Sequence, residues 1–283
     1  MTAVVLDGIV EGLGFGLLGV GLTLVYGLGG VLNLAYGEFA VLGAIVVTGV
    51  RDVGAPMPLA AAAGVAAAAA AATVLDLTAM RPVYRQSGDH RLLLGLLVTL
   101  GVAFLIEGLL DWRDPLGALI VIIGGKPIGI FGVPMGRGSV WGSVIALASG
   151  VALVGFFGAT TFGRGIRSAM QDEVGARLIG ISPSFARTVV FALSGALAGL
   201  VAVSSSMTSP LTVTQGFDLT TFALIVTVVG GLGSVTGAFL AGLLLGIVDT
   251  VCAYYIGQYI TEVVLLGAAG LTILVRPRGL LGR

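Results

Sequence analysis

The chain has 283 residues, 57% of them hydrophobic and 10% charged, with 14 basic and 14 acidic side chains balancing to a formal net charge of zero. So little polar surface excludes a water-soluble globular domain and makes the bilayer the solvent, while the neutral balance gives no attraction for nucleic acid. A single cysteine, Cys252, excludes an internal disulfide, and His90 is the lone histidine, so no His/Cys cluster can hold a metal.

Apolar runs long enough to cross a bilayer recur along the whole chain, at about 8–32, 34–50, 57–80, 91–110, 138–158, 187–206, 221–250 and 256–275. The fold class is therefore all-α: a polytopic transmembrane helical bundle of about eight spans, forming one domain over residues 1–283. The N-terminus lacks a basic leader and a small-residue cleavage site, so the first run reads as a retained span. Its glycines, and those of the seventh run, predict bent or broken helices. The tract from Ala60 to Ala72 suits close helix packing. Between the fourth and fifth runs, "GGKPIGIFGVPMG" reads as an extended hairpin at the surface.

Basic residues orient the spans. Arg81, Arg85 and Arg91 flank one loop, Arg164, Arg167, Arg177 and Arg187 a second, and Arg276, Arg278 and Arg283 the C-terminus. The positive-inside rule makes all three cytoplasmic. The loop at 207–220 is then external, and an odd number of crossings must follow it. Splitting the seventh run at "VVGGLGSVTGAF" supplies the odd crossing, which predicts a discontinuous helix at Gly230–Gly237. Backbone freed from a helix at that depth survives only against protein or a wet cavity. An offset of 200 residues aligns "GVLNLAYGEF" with "GGLGSVTGAF", the trace that an internal transporter repeat would leave.

No nucleophile motif, catalytic grouping or nucleotide-binding "GxxxxGK[ST]" occurs, so the chain reads as a non-enzyme with no catalytic residues, metal or cofactor of its own. Glu11, Asp76, Glu107, Asp249 and Glu262 lie near predicted span ends, where water is close. Glu38 differs, since it follows "NLAYG" at an interruption. Asn33, Tyr36, Gly37 and Glu38 there, with Gly230, Gly231, Gly233, Ser234 and Thr236 at the second interruption, are the candidate path lining. The same polar groups could equally satisfy freed backbone.

The stretch "GRGIRSAMQDEVGARLIGIS" (163–182) is the most polar in the chain. Ile166, Met170, Val174 and Leu178 recur every four residues as an apolar stripe, with Arg164, Arg167, Gln171 and Asp172 off it. Glu173 and Arg177 form an i, i+4 pair, and Gly180 followed by Pro183 ends the helix. Such a helix can lie on lipid, pack on its own bundle or enter a partner's groove. Its mixed charges, without Lys or large aromatics, favour a protein partner.

These residues resemble the membrane permeases of branched-chain amino acid ABC importers over nearly the whole chain. "GLTLVYGLGGVLNLAYGEFAVLGA" (21–44) is similar to the family's N-terminal signature, "VVGGLGSVTGAFLAGLLLGIVDT" (228–250) to its second, and "RPRGLLGR" (276–283) to its C-terminal end. The resemblance implies a cytoplasmic coupling loop at about 159–187 whose helix docks into an ATPase. Glu173, Ala176, Arg177 and Gly180 fall on the motif, and Arg167, Met170 and Asp172 complete the implied surface. Val174 and Gly175 depart from the usual alanines, and Gly175 should loosen the helix by roughly 1 kcal/mol.

The implied partners are a second homologous permease, two ATP-binding cassette subunits that hold ATP and Mg²⁺, an extracytoplasmic solute-binding protein and membrane lipid. The implied location is the bacterial cytoplasmic membrane, with a cytoplasmic C-terminus. The implied cargo is branched-chain amino acids, although related systems carry urea, short amides or aromatic acids. An ion-coupled secondary transporter is the competing class. It would need paired carboxylates within the membrane, which the sequence by itself does not place.

Overall fold

A computed structural model describes residues 1–113, 118–130, 132–178, 180–276 and 279–280. Ile179 of the predicted coupling segment and the terminal Arg278 and Arg283 lie outside the described residues. The long helices are α1 (Thr2–Gly29), α2 (Tyr36–Asp52) and α3 (Met57–Leu75), the last continued by a π turn (Asp76–Met80) into the short α4 (Arg81–Val83). They are followed by α5 (Gly88–Arg113), α6 (Arg137–Ala159), α7 (Thr161–Gln171), α8 (Glu173–Leu178) and α9 (Pro183–Thr208). The chain closes with α10 (Gly216–Gly230), α11 (Val235–Tyr255) and α12 (Gln258–Val275). Among the described residues, eight helical stretches are long and apolar enough to cross a membrane. α2 packs among them, although its 17 residues make only roughly 25 Å of helix.

Absent side chains hold the bundle together. A Cβ on Gly8 would meet the Ile247 backbone at 2.8 Å, one on Gly12 the Leu243 carbonyl at 2.7 Å, and one on Gly16 the Phe239 carbonyl at 3.0 Å. The numbers rise on α1 as they fall on α11, so the pair is antiparallel and nearly backbone to backbone. Lipid tails supply no hydrophobic drive between helices, and such dispersion contact takes its place. α9 uses the same device against α3, where Gly199 faces Val65 at 2.6 Å and Gly195 faces Ala69 at 2.9 Å.

α10 runs parallel to α1. Phe15 stacks on Phe222 at 4.7 Å, and about one turn further along both helices Thr227 Oγ1 donates to the Gly19 carbonyl at 3.0 Å. Since α11 opposes α1, α10 and α11 are antiparallel to each other, and the chain reverses over residues 231–234. Gly231 (φ 105°) and Gly233 (φ 89°) occupy backbone conformations that cost other residues heavily. By contrast α1 is unbroken despite its glycines. Helical geometry lapses after it, at 30–35, across the end of the first predicted span and the start of the second.

The two ends of the bundle differ. At one end Met170 of α7 and Gly233 both lie against Gly27 of α1, and Leu280 N donates to the Val229 carbonyl at 2.9 Å. The polar segment, the α10–α11 reversal and the end of the chain therefore share that end. At the other lie the strand pairs β1 (Ala118–Leu119) with β4 (Leu211–Thr212) and β2 (Ile128–Ile130) with β3 (Val133–Met135), where "GGKPIGIFGVPMG" forms a short hairpin. Cys252 is half-buried on α11, and His90 is exposed.

Candidate coupling and translocation sites

The polar segment is two helices, not one. Asp172 leaves helical geometry (φ −148°, ψ 103°), and its Oδ1 accepts from Val174 N at 2.9 Å, starting α8 afresh. This is the familiar competition of an Asp side chain with the helix ladder. The kink corrects the predicted stripe. Ile166 is buried and Met170 faces α1, whereas Val174 and Leu178 point outward at 69% and 84% exposure. Gly175 also has a local reason, since a Cβ there would crowd Asp172 Oδ2 at 2.6 Å. Gly180 (φ 84°) donates its N–H to the Arg177 carbonyl at 3.1 Å and closes α8.

Of the other predicted coupling residues, Arg167 is exposed and caps the end of α6 by donating to the Phe157 carbonyl at 3.1 Å, and Ala176 is buried. Glu173 turns inward. Its Oε1 accepts from exposed Arg177 at 2.6 Å and from Arg187 of α9 at 2.5 Å. Burial alone would raise the Glu173 carboxyl, but the guanidinium groups of Arg187 and Arg177 outweigh it and hold the group below the usual carboxylate range. Arg187 in turn lies over the Tyr84 ring at 4.6 Å. Its neighbour Thr188 donates to Asp76 Oδ2 at 2.6 Å, within the π turn. Sequence reasoning assigned Arg187 only to loop charge and Asp76 to a span end. The structure makes them a bridge from α8 through α9 to the π turn.

At the start of α2, Asn33, Tyr36 and Glu38 are all buried. Asn33 Oδ1 accepts from Ala35 N at 3.1 Å, and the non-helical backbone beside it is satisfied from other helices. Thr99 Oγ1 of α5 accepts from Leu34 N at 3.0 Å, and Thr220 Oγ1 of α10 donates to the Leu34 carbonyl at 3.2 Å. Gly37 N donates to Thr220 Oγ1 at 2.8 Å, and Gly37 and Glu38 sit against Gly216. Asn33 Nδ2, the Tyr36 hydroxyl and Glu38 Oε2 have no hydrogen-bond partner among the described residues. Thr99 and Thr220 are missed in the sequence because a lone threonine in an apolar run carries no pattern.

The second predicted group lies elsewhere. Gly230 packs on Ala238, Ser234 Oγ accepts from Gly237 N at 3.1 Å as the α11 cap, and Gly233 and Thr236 are exposed. The two groups do not meet. α2 begins against the first residues of α10, and the 230–236 reversal sits at that helix's far end, beside Gly27 and Met170.

A cavity of about 800 Å³ opens between α1, α6, α9, α10, α11 and α12 at the strand-pair end. Asp7, Glu11, Asp218, Asp249 and Glu262 line it, and among the described residues none that lines it is basic. Glu11, Asp249 and Glu262 are neighbours there, so carboxylates that sequence spacing could not pair are brought together by folding.

Residues 4–275 match the protein family described as "Branched-chain amino acid transport system / permease component". The chain is 29% identical to the high-affinity branched-chain amino acid transport system permease protein BraD of Pseudomonas aeruginosa, covering 98% of this chain and 94% of that one. It is 25% identical to the corresponding LivH protein of Escherichia coli, at the same coverage of 98% and 94%. In fold it is similar to a chain in the solved structure of PsaBC from Streptococcus pneumoniae in complex with Fab. The TM-score is 0.53 at 12% identity, covering 96% of this chain and 91% of that one.

Proposed function

The chain belongs to the branched-chain amino acid transport system permease family, and on that premise we propose that it is the membrane permease of an ABC importer for branched-chain amino acids. Partner ATP-binding cassette subunits hold the ATP and Mg²⁺ and hydrolyse the nucleotide. A second homologous permease and an extracytoplasmic solute-binding protein complete the assembly in the bacterial cytoplasmic membrane. The positive-inside rule puts the α7–α8 end, with the C-terminus, in the cytoplasm and the strand-pair end outside.

One observation carries the reading: α8 exposes Val174 and Leu178 while Glu173 ties it to α9. An apolar pair on a short, anchored helix suits the groove of a partner domain, and the anchor suits transmission. A push on α8 would reach α9 through Glu173–Arg187 and the π turn through Thr188–Asp76. Arg167, Asp172, Arg177 and Gly180 would form the rim of that contact, with Met170 and Ala176 as its support on the bundle side. The polar atoms left unpaired at Asn33, Tyr36 and Glu38 mark a place where helices can shift past a solute, with the reversal at Gly230–Thr236 moving as α7 moves.

The test is the Val174→Asp, Leu178→Asp double variant, which leaves the bundle interior intact. It is expected to lose the ATPase subunits on purification and to lose ATP-dependent leucine uptake. Retention of both would overturn the docking assignment, and uptake driven by an ion gradient without ATPases would overturn the importer class.

A further inference from the structure

We propose that the acidic cavity at the strand-pair end is an ammonium site, in which Asp249, flanked by Glu11 and Glu262, receives the amino group of the solute. The proposal rests on the permease reading and deepens it, since it assigns the place in the bundle that receives the solute's amino group.

Asp249 is 5% exposed and lines the cavity, yet among the described residues no donor reaches its Oδ1, and the side chain closest in hydrogen-bonding terms is the Glu11 carboxyl. A buried, unpartnered carboxylate oxygen is costly, and the charged groups facing it make the cost worse. Glu11 approaches from α1 and Glu262 from α12, and among the described residues no arginine or lysine lines the space. Glu11 is held in place, since its Oε2 accepts from Thr250 Oγ1 at 2.9 Å. The close glycine packing of α1 on α11 sets the separation of Glu11 and Asp249, so the site is built by the rigid core rather than by mobile loops.

The chemistry of the cation follows from the spacing. Among the described residues, no three acidic, His or Cys side chains are close enough to hold a metal ion. An ammonium group has three diverging donors and tolerates carboxylates spread around it, whereas a divalent metal requires them gathered at about 2.0–2.6 Å. Deeper in the cavity the stacked pair Phe15 and Phe222 is joined by Leu18, Ile225 and Leu266. The walls therefore fit an amine head followed by a short aliphatic tail. A solute carboxylate would find hydroxyl donors such as Ser204, Ser205 and Thr208, but no cation.

Saturation-transfer NMR on the full-length chain in nanodiscs, without ATP, tests this with three probes sharing one carbon skeleton: 3-methylbutylamine, L-leucine and 4-methylpentanoate. The amine and leucine are expected to bind, and the acid at least tenfold more weakly. Asp249→Asn should weaken the amine at least tenfold, and Asp249→Glu should restore most of the loss. Equal binding of amine and acid, or displacement of the amine by millimolar Mn²⁺, would overturn the proposal. So would amine binding that vanishes when the second permease is co-assembled, because a partner's cation would then fill the cavity. If Asp249→Asn fails to fold, the probe series on the unaltered chain still decides. Loss of the site with ATP-driven uptake intact would remove this inference alone, whereas amine binding with leucine uptake driven by an ion gradient in the absence of ATPase partners would remove the importer reading alone.

Discussion

The two ends of the bundle treat the same chemical group in opposite ways. At the α7–α8 end, the Glu173 carboxylate is shared between two guanidinium groups and locks one helix to another. At the strand-pair end, Asp249 is more deeply buried, has an oxygen with no partner, and faces other carboxylates. A paired charge is a structural joint, and an unpaired one is a binding opportunity maintained at the expense of stability.

The largest effect that tests this contrast should come from Arg187→Ala. It removes a buried cation from between Glu173 and Tyr84, and should cost about 3 kcal/mol, the low end for breaking a buried pair because Glu173 keeps some water. Thermal melts of the purified chain in detergent should fall by several degrees, and adding Glu173→Ala should recover part of the loss. An unchanged melt would make the joint ornamental.

Glu173→Gln should cost less, about 1.5 kcal/mol near neutral pH, and its pH dependence has a definite sign. The folded carboxyl sits below its unfolded value, so its contribution is complete above the unfolded value of about 4.3 and is lost as pH falls through the folded one. The melting difference between wild type and Glu173→Gln should therefore be constant from pH 7 to about 5 and shrink below that. A difference that grows on acidification would contradict the pairing.

The smallest effect should have the opposite sign. Asp249→Asn removes like-charge repulsion at the other end and should raise stability by on the order of 1 kcal/mol. A destabilised variant would mean that Asp249 is a structural joint like Glu173, and the contrast between the ends would collapse.

Much of the fold is legible in the sequence because hydropathy is a local property. Most of the long apolar runs match helices to within about four residues, the first helix starts six residues earlier than its run, and the seventh run is two helices, where the glycines at 231 and 233 announce a non-helical stretch through the dihedrals they permit. The polar segment is legible as helical but not in its phase. The Asp172 side chain competes with the helix ladder, and that competition turned Val174 and Leu178 outward. The start of α2 shows another limit. Asn33 and Glu38 stand out in an apolar run, while the threonines that satisfy the backbone beside them come from helices 65 and 186 residues away in the chain.

Sequence alone determined that the chain is a helical membrane bundle, which runs are apolar, and which family it resembles, because composition, length and short motifs are read residue by residue. Only the tertiary structure decided which charges are neutralised. Glu173 meets Arg187 across the contact of α8 with α9, and Glu11 meets Asp249 through the α1–α11 pairing set by glycines that let backbones touch. Electrostatic energy depends on distance in space, so the same acidic letters became a joint at one end and an open cavity at the other.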